Sequence, residues 1–170
     1  GASWGIKRQV GFGDLTVPLP IVQGGMGIGV SMSRLAAAVA EEGGIGVIAG
    51  AMIGMKEHDI AQNPIGATVR ALRAELRKAR SATAGVIGVN IMVASLTFGI
   101  LAKASIEECA DVIFSGAGLP LDLPGIFRAA CEEKNRLFST KLVPIVSSAR
   151  ATVVIARKWA QKYGYTPDAF

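Results

Sequence analysis

The chain has 170 residues and a net charge of +5, and 51% of its residues are apolar while only 18% are charged. This is the composition of one packed globular domain, and so little charge indicates strands that are buried on both faces. Most of the positive excess lies in residues 69–80, where Arg70, Arg73, Arg77 and Arg80 form a stripe beside an apolar stripe at helical spacing. No aromatic residues interleave with these arginines, so we expect a solvated helix face and no nucleic-acid partner.

Strand-like and helix-like segments alternate along the whole chain. The predicted strands cover residues 20–23, 45–49, 86–92, 111–114 and 141–146, and the predicted helices cover residues 34–42, 69–80, 96–109, 121–135 and 149–163. Strands that alternate with helices pair in parallel through right-handed crossovers, which allows an open doubly wound sheet or a closed (β/α)8 barrel. Units of about thirty residues would fill a barrel of about 250 residues with eight repeats. We therefore expect an α/β fold in which residues 1–170 form the N-terminal five βα units of a TIM barrel, incomplete in this chain.

Residues 81–102 carry no charge and would register as a membrane span in a hydropathy window. Asn90, Ser95 and Thr97 fall inside this stretch, and glycines interrupt it. Its first half is β-branched, which favours a strand followed by the start of a helix. We therefore expect no membrane partner.

The ionisable and sulfur-containing residues indicate no metal or nucleophile site. His58 is the only histidine and lies in a polar loop, where a surface position is expected. Cys109 and Cys131 are far apart in sequence and have neither the spacing of metal ligands nor that of a disulfide framework. No signal peptide opens the sequence, so we expect a reducing, cytoplasmic setting. Asp111 precedes a predicted strand, on the face of a barrel that serves stability and not catalysis.

The loops that follow the predicted strands could carry a ligand. Residues 23–29 form a glycine-rich loop that lacks both the Walker lysine and the full dinucleotide spacing, so a tight turn explains it from spacing alone. Asn90 lies near the end of a buried strand and needs partners for its amide, which either a flavin-like ligand or a neighbouring backbone group would supply. Ser31 and Ser33 are suited to cap the first helix, and Ser147 or Ser148 the last.

Two further strand ends contain small or unusual residues. Residues 115–118 have small side chains, which leave space for a ligand but equally make a turn. Pro144 lies within a predicted strand, a position tolerated at strand ends or at irregular pairings.

Several motifs together resemble the nitronate monooxygenase (2-nitropropane dioxygenase-like) family. They are Pro20-Ile-Val-Gln-Gly-Gly-Met-Gly27, Glu42-Gly-Gly-Ile-Gly-Val-Ile48, Gly88-Val-Asn-Ile-Met92, Phe114-Ser-Gly-Ala-Gly118 and Lys141-Leu-Val-Pro-Ile-Val-Ser147. The FMN-dependent enoyl-acyl-carrier-protein reductases have a similar series. The resemblance covers nearly the whole chain from about Leu15, and it implies a TIM barrel that holds FMN at the carboxyl ends of its strands.

The resemblance also implies roles for individual residues. The backbone of Gly24, Gly25 and Met26 would border the flavin ring, and Asn90 would form a hydrogen bond with FMN. The substrate pocket would be lined by Ser115, Gly116, Ala117, Gly118, Pro144 and Ser147. The family's catalytic histidine follows the sixth strand, and its phosphate-binding glycine loops follow the seventh and eighth. This implies that no catalytic residue lies within residues 1–170.

The resemblance implies an FMN-dependent monooxygenase that oxidises nitronates or similar carbanionic small molecules with O2. Two alternatives stay open: an FMN-dependent enoyl-acyl-carrier-protein reductase, and a non-catalytic half barrel that serves as a structural subunit without flavin. Phe170 falls just inside the expected sixth strand, and a sheet cut there would expose unpaired edges. We therefore expect a second polypeptide or segment to complete the barrel, and this chain alone to be inactive.

Overall fold

The computed structural model describes residues 9–170, so the first eight residues of the predicted domain lie outside the described residues. The strands are β1 (Val10–Phe12), β2 (Leu15–Val17), β3 (Ile45–Ala49), β4 (Val86–Met92), β5 (Val112–Gly116) and β6 (Lys141–Pro144). The helices are α1 (Ser33–Glu41), α2 (Pro64–Ala82), α3 (Phe98–Glu107), α4 (Leu123–Glu133) and α5 (Ala149–Tyr163). The alternating pattern predicted for residues 34–163 is confirmed, with boundaries shifted by a few residues.

The sheet topology decides between the two architectures that the sequence allows. Strands β3, β4, β5 and β6 form one parallel sheet in sequential order. Buried residues of all five helices pack against one face of that sheet, whereas the core on its other face contains no helix residue among residues 9–170. A doubly wound sheet reverses its strand order and carries helices on both faces. Sequential order with helices on one face is the geometry of a barrel wall, so the prediction of a partial TIM barrel is confirmed.

The segment predicted as the first strand lies beside β3 but forms only one isolated parallel bridge, between Val22 and Ile45. The Ile45 amide donates to the Ile21 carbonyl at 2.9 Å, and the Gln23 amide donates to the Ile45 carbonyl at 3.0 Å. Pro20 has no N–H to extend this ladder toward the amino end. The sheet therefore begins with a short extended segment in place of a full strand.

A small antiparallel hairpin, β1 and β2, was not predicted from the sequence. Phe12 and Val17 are buried in it and pack on the inner face of the sheet with residues such as Val47 and Phe114. Its turn is held by an ion pair between Asp14 and Lys141 at the start of β6. The hairpin thus supplies a floor to the inner face. Strands of three residues are too short to show the alternation of apolar and polar residues, so the sequence pattern did not predict them.

The arginine stripe of α2 faces carboxylates of neighbouring elements. Each arginine forms at least one ion pair: Arg70 with Glu57 and Asp59, Arg73 with Glu107 and Glu108, Arg77 with Glu108, and Arg80 with Asp111. The cationic face of this helix is therefore part of an ionic network that links α2 to α3 and to the start of β5.

Two aspartates secure strand starts in the same way. The Asp111 amide donates to the Ile87 carbonyl and its carboxylate accepts the Ile87 amide, both at 2.9 Å. The Asp168 amide donates to the Leu142 carbonyl at 3.2 Å, and its carboxylate accepts the Leu142 amide at 2.9 Å. The hydrogen bonds of Asp168 therefore place residues 168–170 beside β6, in the same way that the hydrogen bonds of Asp111 place the start of β5 beside β4. This is the place expected for a sixth strand, although they form no ladder.

Residues 81–102 contain β4 and the start of α3, as predicted, and their first two residues end α2. Within residues 9–170, no helix has the length and apolar character needed to cross a membrane. His58 is exposed in a turn. The predicted cap of the last helix is confirmed, since the Ser148 hydroxyl accepts the Ala151 amide at 3.2 Å.

Candidate ligand site at the strand ends

A cavity of about 530 Å³ opens on the inner face of the sheet, toward the carboxyl ends of the strands. Apolar side chains from the hairpin and from three strands form its walls: Phe12, Val47, Phe114 and Val143. Its rim contains Gly24, Gly25, Asn90 and residues 144–146. The described residues that line it include no ionisable side chain. An apolar cleft with a few convergent polar groups is the usual form of a small-molecule site.

Two features fix the position of the glycine loop beside the cavity: its close approach to Asn90 and its hydrogen bonds with Ser31. A Cβ built on Gly25 would lie 2.7 Å from the Cβ of Asn90, so only glycine allows the loop to pass over that strand. The buried Ser31 hydroxyl accepts the Met26 amide at 2.9 Å and donates to the Gly24 carbonyl at 3.4 Å. Gly24 faces open space, because apart from its chain neighbours no atom of residues 9–170 lies within 4 Å of the position its Cβ would occupy.

The predicted caps of α1 are wrong. Ser31 braces the glycine loop, and the helix starts after Met32, whose side chain makes no capping hydrogen bond. The Ser33 amide instead donates to a carboxylate oxygen of Glu75 on α2 at 2.8 Å. Burial by itself would raise the pKa of Glu75, but its hydrogen bonds with Ser33 and Lys78 outweigh burial and hold this pKa below its ordinary value. The Glu75 carboxylate, which is distant in sequence, therefore accepts a hydrogen bond from the start of α1, where the sequence predicts a cap by a serine hydroxyl.

The Asn90 side chain lies in the cavity wall and is partly exposed. Its backbone carbonyl accepts the Gly50 amide at 2.9 Å, but the hydrogen bonds formed within residues 9–170 include none to its carboxamide. Of the two partners that the sequence leaves open for this amide, the neighbouring backbone group is thus not found in the described part of the chain. The free carboxamide offers a donor and an acceptor to a ligand.

Gln23 is a polar residue of the same wall that the sequence did not single out. Its Oε1 accepts the Val47 amide at 3.0 Å. Its Nε2 is buried and has no hydrogen-bond partner among residues 9–170. The only signal in the sequence for a role of Gln23 was its position as a polar residue at the end of an apolar predicted strand.

The structure distributes the predicted pocket residues over two neighbouring cavities and the strand end between them. Pro144 lines the main cavity, while Ala117, Gly118 and Ser147 line a neighbouring cavity of about 390 Å³ that shares Ile145 and Val146 with it. Gly116 ends β5, where an added Cβ would meet Ile145 at 3.2 Å. Met26 is 63% exposed and lines neither cavity.

Ser115 is the predicted pocket residue that the structure places elsewhere. It is fully buried in β5, and its hydroxyl has no partner among residues 9–170. Val112 and Phe114 of that strand lie on the inner face and Ile113 on the helix side. Because side chains alternate along a strand, Ser115 lies on the helix side with Ile113, behind the cavity wall.

Residues 9–170 contain no group of three or more His, Cys, Asp or Glu side chains that could hold a metal ion. Cys109 is exposed and Cys131 is partly buried, and both are free thiols. The polar features of the rim are instead two carboxamides, Gln23 and Asn90, beside glycine backbone.

A parallel βα barrel wall with an apolar, amide-edged cavity at its strand ends has the form of a small-molecule site in a barrel protein. The profile of the nitronate monooxygenase family matches residues 12–155. The chain therefore belongs to the nitronate monooxygenase family.

Solved structures support the same placement. FabK from Thermotoga maritima is 31% identical with a TM-score of 0.62, covering 84% of this chain and 38% of its own. The M276A mutant of the same FabK is 29% identical with a TM-score of 0.58, covering 79% of this chain and 38% of its own. The chain thus corresponds to about 38% of the length of these proteins. No curated protein sequence matches it significantly.

Proposed function

We propose that this chain forms the N-terminal part of an FMN-dependent oxidoreductase of the nitronate monooxygenase type. The observation that carries the proposal is the cavity at the strand ends, where unpartnered amide groups edge an apolar cleft. Family membership supports the same cofactor. The substrate would be a nitronate or a similar carbanionic small molecule.

The residues of the cavity fit a flavin ring. An isoalloxazine is planar, apolar on its faces, and edged by hydrogen-bond donors and acceptors. Gly24 leaves open space over the cavity, so backbone would approach a ring face closely. Asn90 would meet a polar edge of the ring through its free carboxamide. When bound, FMN supplies the electron-accepting chemistry, and the protein groups position and tune it.

The remaining lining residues would exclude water from the site, and they offer no acid or base of their own. Phe12, Phe114 and Val143 are all at least 93% buried and form the inner wall, which would exclude water from one side of a bound ring. Because the described lining contains no ionisable side chain, proton transfer to the substrate would be made by a group from another part of the barrel. We propose that a further segment or a second polypeptide supplies that group together with the remaining strands.

Asn90→Ala tests the cofactor site directly. The substitution removes the free carboxamide, and we expect FMN affinity to fall about tenfold or more, equivalent to about 1.4 kcal/mol. Titration of the full-length protein with FMN, followed by quenching of flavin fluorescence, measures the affinity, and the melting temperature reports folding. An FMN affinity of Asn90→Ala equal to that of wild type would show that the cofactor does not bind at Asn90.

FabK, an FMN-dependent enoyl-acyl-carrier-protein reductase of the same family, favours a second candidate function. Its identity of 31% over 84% of this chain supports a reductase about as well as a monooxygenase. Steady-state assays of the full-length protein separate the two. Turnover of a nitronate with O2 supports the monooxygenase, and turnover of an enoyl thioester with NAD(P)H supports the reductase. Protein purified without flavin absorbance, and unable to take up added FMN, would support the non-catalytic half barrel instead.

A further inference from the structure

Gln23 connects the start of the barrel wall to the candidate flavin cavity. Its backbone amide donates to the Ile45 carbonyl at 3.0 Å, and its Oε1 accepts the Val47 amide at 3.0 Å. The side chain therefore occupies a ladder position that a longer first strand would otherwise fill. This bond also fixes which way the carboxamide lies, because the reversed orientation would set the Nε2 donor against the N–H of Val47.

With Oε1 held by β3, the Nε2 group is left as a buried donor without a partner among residues 9–170. Buried polar groups are almost always paired, and an unpaired one loses the free energy of a hydrogen bond. Gln23 stands in the cavity wall with Gly25 and Asn90, so the cavity is where an acceptor can be supplied.

We infer that Gln23 is a positioning and specificity residue, anchored by Val47 and donating from Nε2 to an acceptor atom on the edge of a planar heterocycle. The acceptor would be a carbonyl oxygen or an unprotonated ring nitrogen. This inference rests on the proposed function, since the heterocycle there is the flavin ring. Together Gln23 and Asn90 would read one ring edge from the first extended segment and from β4, which lie on either side of β3.

Gln23→Glu in the full-length protein is the informative substitution. It keeps the acceptor for the Val47 amide and the shape of the side chain, but it replaces the unpaired donor by a carboxylate oxygen. Gln161→Glu is the matched control, because Gln161 is exposed on α5 and its replacement changes the net charge equally. FMN and riboflavin are titrated separately by flavin fluorescence, since they share the ring but only FMN has a phosphate.

The expected result is an affinity loss of about tenfold or more for both flavins in Gln23→Glu, and none in Gln161→Glu. A loss confined to FMN would indicate repulsion of the phosphate and overturn the inference. Unchanged affinity in Gln23→Glu, with wild type binding FMN, would overturn the inference and leave the proposed function intact. Wild-type protein that binds neither flavin would overturn the proposed function and this inference with it.

A measurement without mutation keeps the test decisive if Gln23→Glu does not fold. In protein labelled with ¹⁵N at glutamine, a hydrogen bond from Nε2 to the ring shifts the side-chain amide signal of Gln23 when riboflavin is added. The exposed Gln161 signal serves as the internal reference. An unmoved Gln23 signal at saturating riboflavin would overturn the inference.

Discussion

Single residues at the cavity rim show how closely backbone and side chain are fitted together. The glycine loop crosses β4 at the position where Gly25 meets Asn90, with room for a hydrogen atom and not for a methyl group. One residue earlier, Gly24 has open space around it. Two adjacent glycines thus have different reasons to be glycine: one allows loop packing, and the other leaves room for a ligand.

Gly25→Ala should therefore destabilise the fold, whereas Gly24→Ala should not. The new methyl group would force Asn90 or the loop to move, and overpacking of this kind costs about 1–3 kcal/mol. The free energy of unfolding from urea titration of the flavin-free protein measures both variants. Equal stability of the two variants would contradict the close approach of Gly25 to Asn90.

At the scale of elements, α1 depends on a contact from a distant helix. The Ser33 amide at its start is satisfied by Glu75 of α2, which also pairs with Lys78 at 3.1 Å. A carboxylate at a helix amino end is favoured by the helix dipole as well as by the hydrogen bond. Because α1 follows the glycine loop, this contact also fixes how the loop enters the helix.

Glu75→Gln should lower stability by about 1 kcal/mol near neutral pH, because a charge-assisted hydrogen bond becomes a neutral one. The pKa of Glu75 lies below its ordinary value, so its contribution is present above that ordinary value, about 4.3, and is lost as the pH falls through the lowered pKa. The difference from wild type should therefore narrow below about pH 4.

Urea titrations at neutral and acidic pH measure this difference. Glu132→Gln is the control, since Glu132 is exposed on α4. A stability difference for Glu75→Gln that is the same at both pH values would show that the charge of Glu75 makes no contribution.

At the scale of the whole molecule, the sheet has two differently covered faces. The outer face is packed by the helices in one large core. The inner face is closed at one end by the hairpin, whose Phe12 contacts the sheet core and also lines the cavity. The hairpin, which lies outside the repeating βα pattern, therefore forms one wall of the cavity.

Phe12→Ala should be among the most destabilising single changes in this part of the barrel. Phe12 is 7% exposed, and truncating a buried phenylalanine costs about 3–5 kcal/mol. Leu137→Ala is the matched control, because Leu137 is 86% exposed and its truncation should change stability by no more than about 0.5 kcal/mol. Urea titration of the full-length protein measures both. Similar midpoints for the two variants would show that the hairpin does not form the floor of the inner face.

Much of this architecture could be predicted because it depends on local patterns. The glycine after α5 illustrates this: Gly164 adopts a left-handed conformation with φ of 58°, and its amide closes the helix on Ala160. The burial of Val112, Ile113 and Phe114 in β5 likewise follows from an apolar run. The Glu75 contact and the single bridge at Val22 could not be predicted, because each joins residues far apart in the chain. The hairpin could not be predicted because its strands are too short to show alternation.

The sequence alone determined the succession of strands and helices along the chain, the uncharged runs of β3, β4 and β5, and the family resemblance. All three arise from periodicity and from runs of neighbouring residues. Only the tertiary structure decided that the sheet is a one-sided barrel wall, that Ser115 lies behind it, and that Gln23 and Asn90 meet at one rim. The physical reason is that strand order, the face that a side chain occupies and the partners of a buried amide are set by contacts between distant segments.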